Sequence, residues 1–127
     1  MRVLVCGSRN WTDRQMIMDV LKDLPKDTVI IEGEAPGADS LAASVAEELG
    51  FEVVRFPADW ARYGRSAGPV RNKQMLVEGK PDQVIAFSDD LEKSTGTLNM
   101  VTIAMRANVS VSVRHHGPTG EFGEEIR

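Results

Sequence analysis

Three glycine-bearing segments hold the residues best suited to gripping an anion. Gly7-Ser8-Arg9-Asn10-Trp11 combines a tight turn, a hydroxyl, a guanidinium fork and an indole. Trp11 suits stacking on a base, and equally suits a half-buried packing position. Gly33-Glu34-Ala35-Pro36-Gly37-Ala38-Asp39 brackets a second turn with glycines. Asp39 there either holds a ribose hydroxyl or caps the orphan N–H groups of a helix start. Glu34 places a like charge where a phosphate would sit. Ser94-Thr95-Gly96-Thr97 offers hydroxyls and a glycine at a third helix opening, although Ser and Thr cap most such helices. Arg71 and Asn72 follow Gly68-Pro69 at the start of a further helix. Arg71 either pairs with a phosphate or forms a solvated surface contact. The shared chemistry is phosphate binding by main-chain N–H groups, which carry partial positive charge at a helix N-terminus.

These segments need a scaffold that brings them to one edge. Apolar runs at 2–6, 28–32, 52–56, 83–87 and 109–113 read as five strands. They are nearly continuous rather than alternating, as in parallel strands covered on both faces. Helix-period patterns separate them. Met16, Ile17, Val20, Leu21 and Leu24 share one face, and Leu41, Ala42, Val45, Ala46 and Leu49 share another. Met75 and Leu76 anchor a third helix, and Leu98, Val101, Ala104 and Met105 a fourth. Thr12-Asp13-Arg14-Gln15 reads as a capping box, and Gly50 as a helix stop. This alternation implies an α/β fold with a parallel sheet. Ligands of such sheets sit beyond the C-terminal ends of the strands, where all three glycine segments fall. The polar and aromatic connection at 58–69 is too long for a turn, and Asp59, Trp60 and Tyr63 in it suit a lid or a dimer contact.

The chain has 127 residues, 42% of them hydrophobic, and fits one domain at 1–113 with a charged, aperiodic tail at 114–127 that is expected to be partly flexible. The single Cys6 excludes an internal disulfide and points to a reducing cytoplasm. No apolar run reaches the roughly 20 residues needed to span a membrane, and no signal peptide is expected. No metal site and no cofactor are expected. A net charge of −4 argues against a protein whose main task is gripping nucleic-acid backbone.

The strings Gly7-Ser8-Arg9-x-Trp11, Gly37-Ala38-Asp39, Phe56-Pro57-Ala58-Asp59-Trp60, Tyr63-Gly64-Arg65, Ala67-Gly68-Pro69-x-Arg71-Asn72-x-x-Met75 and Gly96-Thr97 resemble the YspA group of cpYpsA-related SLOG proteins, from residue 1 to about 113. The resemblance implies a three-layer Rossmann-like fold, a five-stranded parallel sheet of order 3-2-1-4-5, and binding of a nucleotide or nucleotide-derived ligand. The three loops and the helix of Arg71 together give the expected ligand site: Gly7, Ser8, Arg9, Trp11, Gly33, Gly37, Ala38, Asp39, Arg71, Asn72, Gly96 and Thr97. The resemblance also implies a homodimer, for which the helices of Met75 and of Leu98 could supply an interface. Positions 34 and 36 usually hold Gly and a basic residue in such sequences, whereas here they are Glu34 and Pro36.

More distantly the chain resembles the LOG (lonely guy) phosphoribohydrolases, which release a free base from nucleoside 5′-monophosphates. Arg71 and Met75 match one LOG motif, and Gly96 and Thr97 match part of another. The acidic position of that second motif falls on Met100, and Asn99 beside it cannot replace the charge. Hydrolysis would need another carboxylate, with Asp39, Asp59 and Glu34 as candidates and Arg71 as the phosphate partner. SLOG relatives also include a single-strand-DNA-binding recombination mediator. Only Arg9, Arg62, Arg65 and Arg71 could form a basic patch for that role, so nucleic acid is not the expected partner.

Overall fold

A computed structural model describes residues 1–117 and 122–126. Six strands form one sheet of order β3-β2-β1-β4-β5-β6. They are β1 (Arg2–Gly7), β2 (Val29–Glu32), β3 (Glu52–Arg55), β4 (Gln83–Phe87), β5 (Ser110–His116) and β6 (Phe122–Ile126). The first five run parallel in the expected order, and β6 is antiparallel to β5. The helices are α1 (Arg14–Leu21), α2 (Ala38–Glu48), the single turn α3 (Trp60–Tyr63), α4 (Ala67–Gly79) and α5 (Thr95–Arg106).

The period-two geometry of β1 divides the core. Val3 and Val5 face one way, among Ile17 and Leu21 of α1 and Val45 of α2. Leu4 and Cys6 face the other, among Met75 of α4 and Met100 and Val101 of α5. Each fully buried side chain of the size of Leu4 contributes about 2 kcal/mol. Two helix layers on a central sheet result, and every parallel strand ends at the same edge.

Three details depart from expectation. β6 adds a sixth strand to the five read from the apolar runs. Its sequence, Phe-Gly-Glu-Glu-Ile, has no continuous apolar signal. Its anchors are polar, with Glu124 accepting from Ser112 at 3.1 Å and pairing with Arg114 at 3.1 Å. Residues 118–121 and 127 of the tail lie outside the described residues. Helix α1 is capped by Asp13 rather than Thr12: Asp13 Oδ1 accepts from the Met16 amide at 3.0 Å, and Gln15 bonds Asp19 instead of closing a capping box. A carboxylate is the stronger acceptor against the helix dipole. The connection after β3 is not extended. Asp59 caps α3 through the Arg62 amide, and a 3₁₀ turn at Gly64–Ser66 leads into α4. No helix among the described residues is long and apolar enough to cross a membrane.

Candidate functional site

The first two loops are interlocked at backbone level. The Ser8 amide donates to the Phe87 carbonyl at 2.9 Å, carrying the chain from β1 over β4. The Ser8 carbonyl accepts from Trp11 at 3.2 Å and from Ala38, the first residue of α2, at 3.1 Å. This close approach requires glycine twice. A Cβ at Gly7 would strike the Phe87 carbonyl and Ala38, and one at Gly37 would strike the Ser8 and Arg9 carbonyls. Gly37 also has φ +78, where L side chains are strained.

Beneath the loops, α4 supplies the ties. Arg71, 8% exposed, donates from Nη1 to the Gly33 carbonyl and from Nε to Asn72 Oδ1 at 3.0 Å. Asn72 Nδ2 in turn donates to the Gly96 carbonyl at 3.1 Å and to Asn99 at 2.9 Å. The adjacent Arg and Asn therefore join the second loop to the start of α5. Asp39 closes the second loop by accepting from the Gly33 amide at 3.0 Å and the Ala35 amide at 3.4 Å. Burial pushes the Asp39 carboxyl up to about 6, against the pull of those amides and of Arg71. Burial lowers the Arg71 pKa from its ordinary value while Asp39 opposes that, and the guanidinium remains charged.

Helix α5 opens without a side-chain cap, since Ser94 Oγ bonds Ser88 Oγ at 3.1 Å instead. The amides of Thr95, Gly96 and Thr97 make no hydrogen bond to the described residues and face a cleft of about 460 Å³. That volume falls in the range of roughly 300–1,000 Å³ typical of small-molecule sites. Four cationic side chains line it, Arg9, Arg65, Arg71 and Lys93, against the one carboxylate of Asp39. In a chain of net charge −4 this is a local concentration of positive charge. A groove of about 580 Å³ between α1 and β6 lacks such chemistry. Among the described residues it carries Asp19, Asp23 and Glu124 against Arg114.

Gly7, Ser8, Arg9, Asp39, Arg71, Asn72, Gly96 and Thr97 line the cleft. Gly33, Gly37 and Ala38 stand behind it and hold the loops in place. Trp11 is elsewhere. Its indole is 5% exposed, packs on Phe87 at 5.7 Å, and donates from Nε1 to the Asp13 carbonyl. It is a core residue in this fold, not a stacking platform for a ligand.

The other face of Trp11 carries His116, stacked at 4.9 Å. Both ring nitrogens of His116 meet carboxylates, Asp13 Oδ2 at 2.8 Å and Asp89 Oδ2 at 3.0 Å. A neutral imidazole has one donor, so this geometry belongs to the imidazolium. Hydrogen bonds donated to Asp13 and then to Asp89 raise the His116 pKa despite some burial. Asp13 is held below its ordinary value, chiefly by that hydrogen bond. The stabilisation is therefore complete below about pH 6.5 and lost as pH rises through the raised folded value. With His116 partly exposed, solvent screening leaves about 1 kcal/mol. Thermal unfolding between pH 6 and pH 9 should show a loss of stability that His116→Gln flattens. An unchanged slope would remove the cluster from the account.

The remaining acidic candidates do not reach the cleft. Asp59 caps α3. Glu34, at φ +57, turns away towards Arg55 at 3.7 Å, which removes the expected repulsion from the cleft. Met100 is fully buried in the core. Cys6 borders the cleft, and burial holds its thiol well above the ordinary range, which disfavours the thiolate. Of the anticipated basic patch, Arg62 lies over Tyr63 instead. Lys93 takes its place from a 3₁₀ turn, and Asn99 joins through Asn72. Lys93 precedes the Ser94–Thr97 signature by one residue, and only that adjacency marks it in the sequence.

Comparison with known proteins gives three likenesses. The family described as "YAcAr: YspA, cpYpsA-related SLOG family" matches residues 1–63. The Gene 61 protein of Mycobacterium phage D29 is 37% identical over 119 residues, covering 87% of this chain and 93% of that protein. The fold matches the X-ray structure of DNA processing protein A (DprA) from Streptococcus pneumoniae with TM-score 0.71 and 20% identity. That match covers 87% of this chain and 48% of the other, so the chain spans about half the length of that structure. At this identity the likeness is one of fold alone.

Proposed function

The chain belongs to the YspA, cpYpsA-related SLOG family, and from that premise we propose that its cleft binds a nucleotide or a nucleotide-derived small molecule, as a ligand-binding or sensing domain. The observation that carries the reading is the uncapped start of α5 opening among Arg9, Arg65, Arg71 and Lys93. Unpaired amides at a helix N-terminus and convergent guanidinium groups both favour a phosphate. Arg71 keeps Nη2 available, since its other donors hold Gly33 and Asn72. Calorimetric titration with AMP, ADP and NAD at low and high salt tests this. Saturable binding that weakens with salt is expected, and no binding by any of the three would overturn it.

A hydrolase reading rests on one observation. Asp39 lines the cleft with its carboxyl pushed up to about 6, a value suited to proton transfer near neutral pH. Free base released from AMP, and lost in Asp39→Asn, would support it. Two further readings follow the family. Val70 and Val77 on α4 and Leu98 and Met105 on α5 leave an exposed apolar strip that suits a homodimer. The buried, protonated Cys6 suits a cytoplasmic protein.

A further inference from the structure

With Trp11 buried, the cleft still contains an aromatic wall. Trp60 begins α3, lines the cleft, and is 51% exposed. A half-exposed indole leaves a large apolar face in water, with no neighbour ring among the described residues covering it. Gly68, at the start of α4, lies beside the ring. A Cβ at that position would make ordinary contact with Trp60 Cη2, at 3.7 Å. Across the mouth, the Arg9 guanidinium stands 5.8 Å from the indole centroid. Indole and guanidinium are the flat side chains on which a heteroaromatic ring stacks. They come from different loops, one after β1 and one after β3, yet border the same cleft as the α5 N-terminus.

We propose that Trp60, with Arg9 opposite, is the platform on which the base of the bound nucleotide stacks. This inference rests on the nucleotide reading above and assigns the base end of that site. A base entering here exchanges the cation–π contact between Arg9 and Trp60 for stacking on the indole, which assigns Arg9 to the base end and leaves the phosphate to the α5 N-terminus with Arg71 and Lys93. Loss of one such stack weakens binding about tenfold.

The test titrates the wild type, Trp60→Ala and Trp60→Phe with AMP and with ribose 5-phosphate, which has the phosphate and sugar but no base. Trp60→Ala is expected to weaken AMP about tenfold and to leave ribose 5-phosphate within about twofold, and Trp60→Phe to restore most of the AMP affinity. Wild-type fluorescence supplies a readout without mutation. The chain has two tryptophans, and Trp11 is buried, so AMP should quench the exposed emission and ribose 5-phosphate should not. If the wild type binds AMP but Trp60→Ala weakens both ligands equally or neither, or AMP leaves the emission unchanged, the platform is refuted and the nucleotide reading stands. If the wild type binds neither AMP nor ribose 5-phosphate the platform falls, and if ADP and NAD also fail to bind the nucleotide reading falls with it.

Discussion

Gly37→Ala is expected to lower the stability of the domain by about 3 kcal/mol, read as a fall of roughly 10 °C in thermal midpoint. Two effects add. The backbone at φ +78, ψ −122 lies outside the left-handed helical well and strains any L residue by roughly 1–3 kcal/mol. The new methyl also meets the Ser8 and Arg9 carbonyls, which are backbone and cannot rotate aside. Gly50 supplies a comparison with a positive φ and no contact. Gly50 has φ +83, but a Cβ there meets nothing within 4 Å. Gly50→Ala should therefore lose only the conformational part, about 1 kcal/mol. Equal losses at the two positions would mean that the first two loops do not interlock as described. Because the same contact sets Arg9 against the cleft, Gly37→Ala should weaken ligand binding as well, and Gly50→Ala should not.

Arg71→Met is expected to weaken AMP binding about 30-fold, the loss of one charge-assisted hydrogen bond of roughly 2 kcal/mol. The near-isosteric side chain keeps the packing under the loops, so the effect is chiefly chemical. Two acceptors lose their Arg71 donor in the folded state, the Gly33 carbonyl and Asn72 Oδ1, and Asp39 loses a neighbouring positive charge while keeping its two amide donors. Arg71 holds the Asp39 pKa down, so the variant should raise it further above about 6. A carboxyl with a raised folded pKa is harder to ionise in the fold than in the open chain. Stability attached to it is greatest below about pH 4 and falls as pH rises through the folded value. The variant should accordingly be more destabilised at pH 8 than at pH 5. Calorimetry with AMP and melting at the two pH values check both parts. Wild-type affinity in Arg71→Met would remove the guanidinium from the site.

The sheet and its order were legible because parallel strands buried on both faces leave continuous apolar runs, as in β1 and β4. The cleft was legible as far as glycines and hydroxyls at strand ends mark close backbone approach. Trp11 was not, because an indole suits a base or a core equally. What buries it, Phe87 and His116, lies far along the chain. Asn72 could be named in the sequence but not its partners, since Gly96 and Asn99 meet it only through the packing of α4 on α5. Strand β6 escaped notice because its pairing with β5 comes from ladder bonds and the contacts of Glu124, which leave no hydrophobic period. Glu34 was misleading for a related reason. Its charge is visible in the sequence, but its left-handed backbone, which aims it at Arg55, is not.

The most direct measurement is an amide chemical-shift titration of the folded chain with AMP. The account predicts saturable shifts that are largest at Thr95, Gly96 and Thr97, with a second group at Ser8 and Arg9. Shifts confined to the groove between α1 and β6, or no saturable shifts at all, would contradict it.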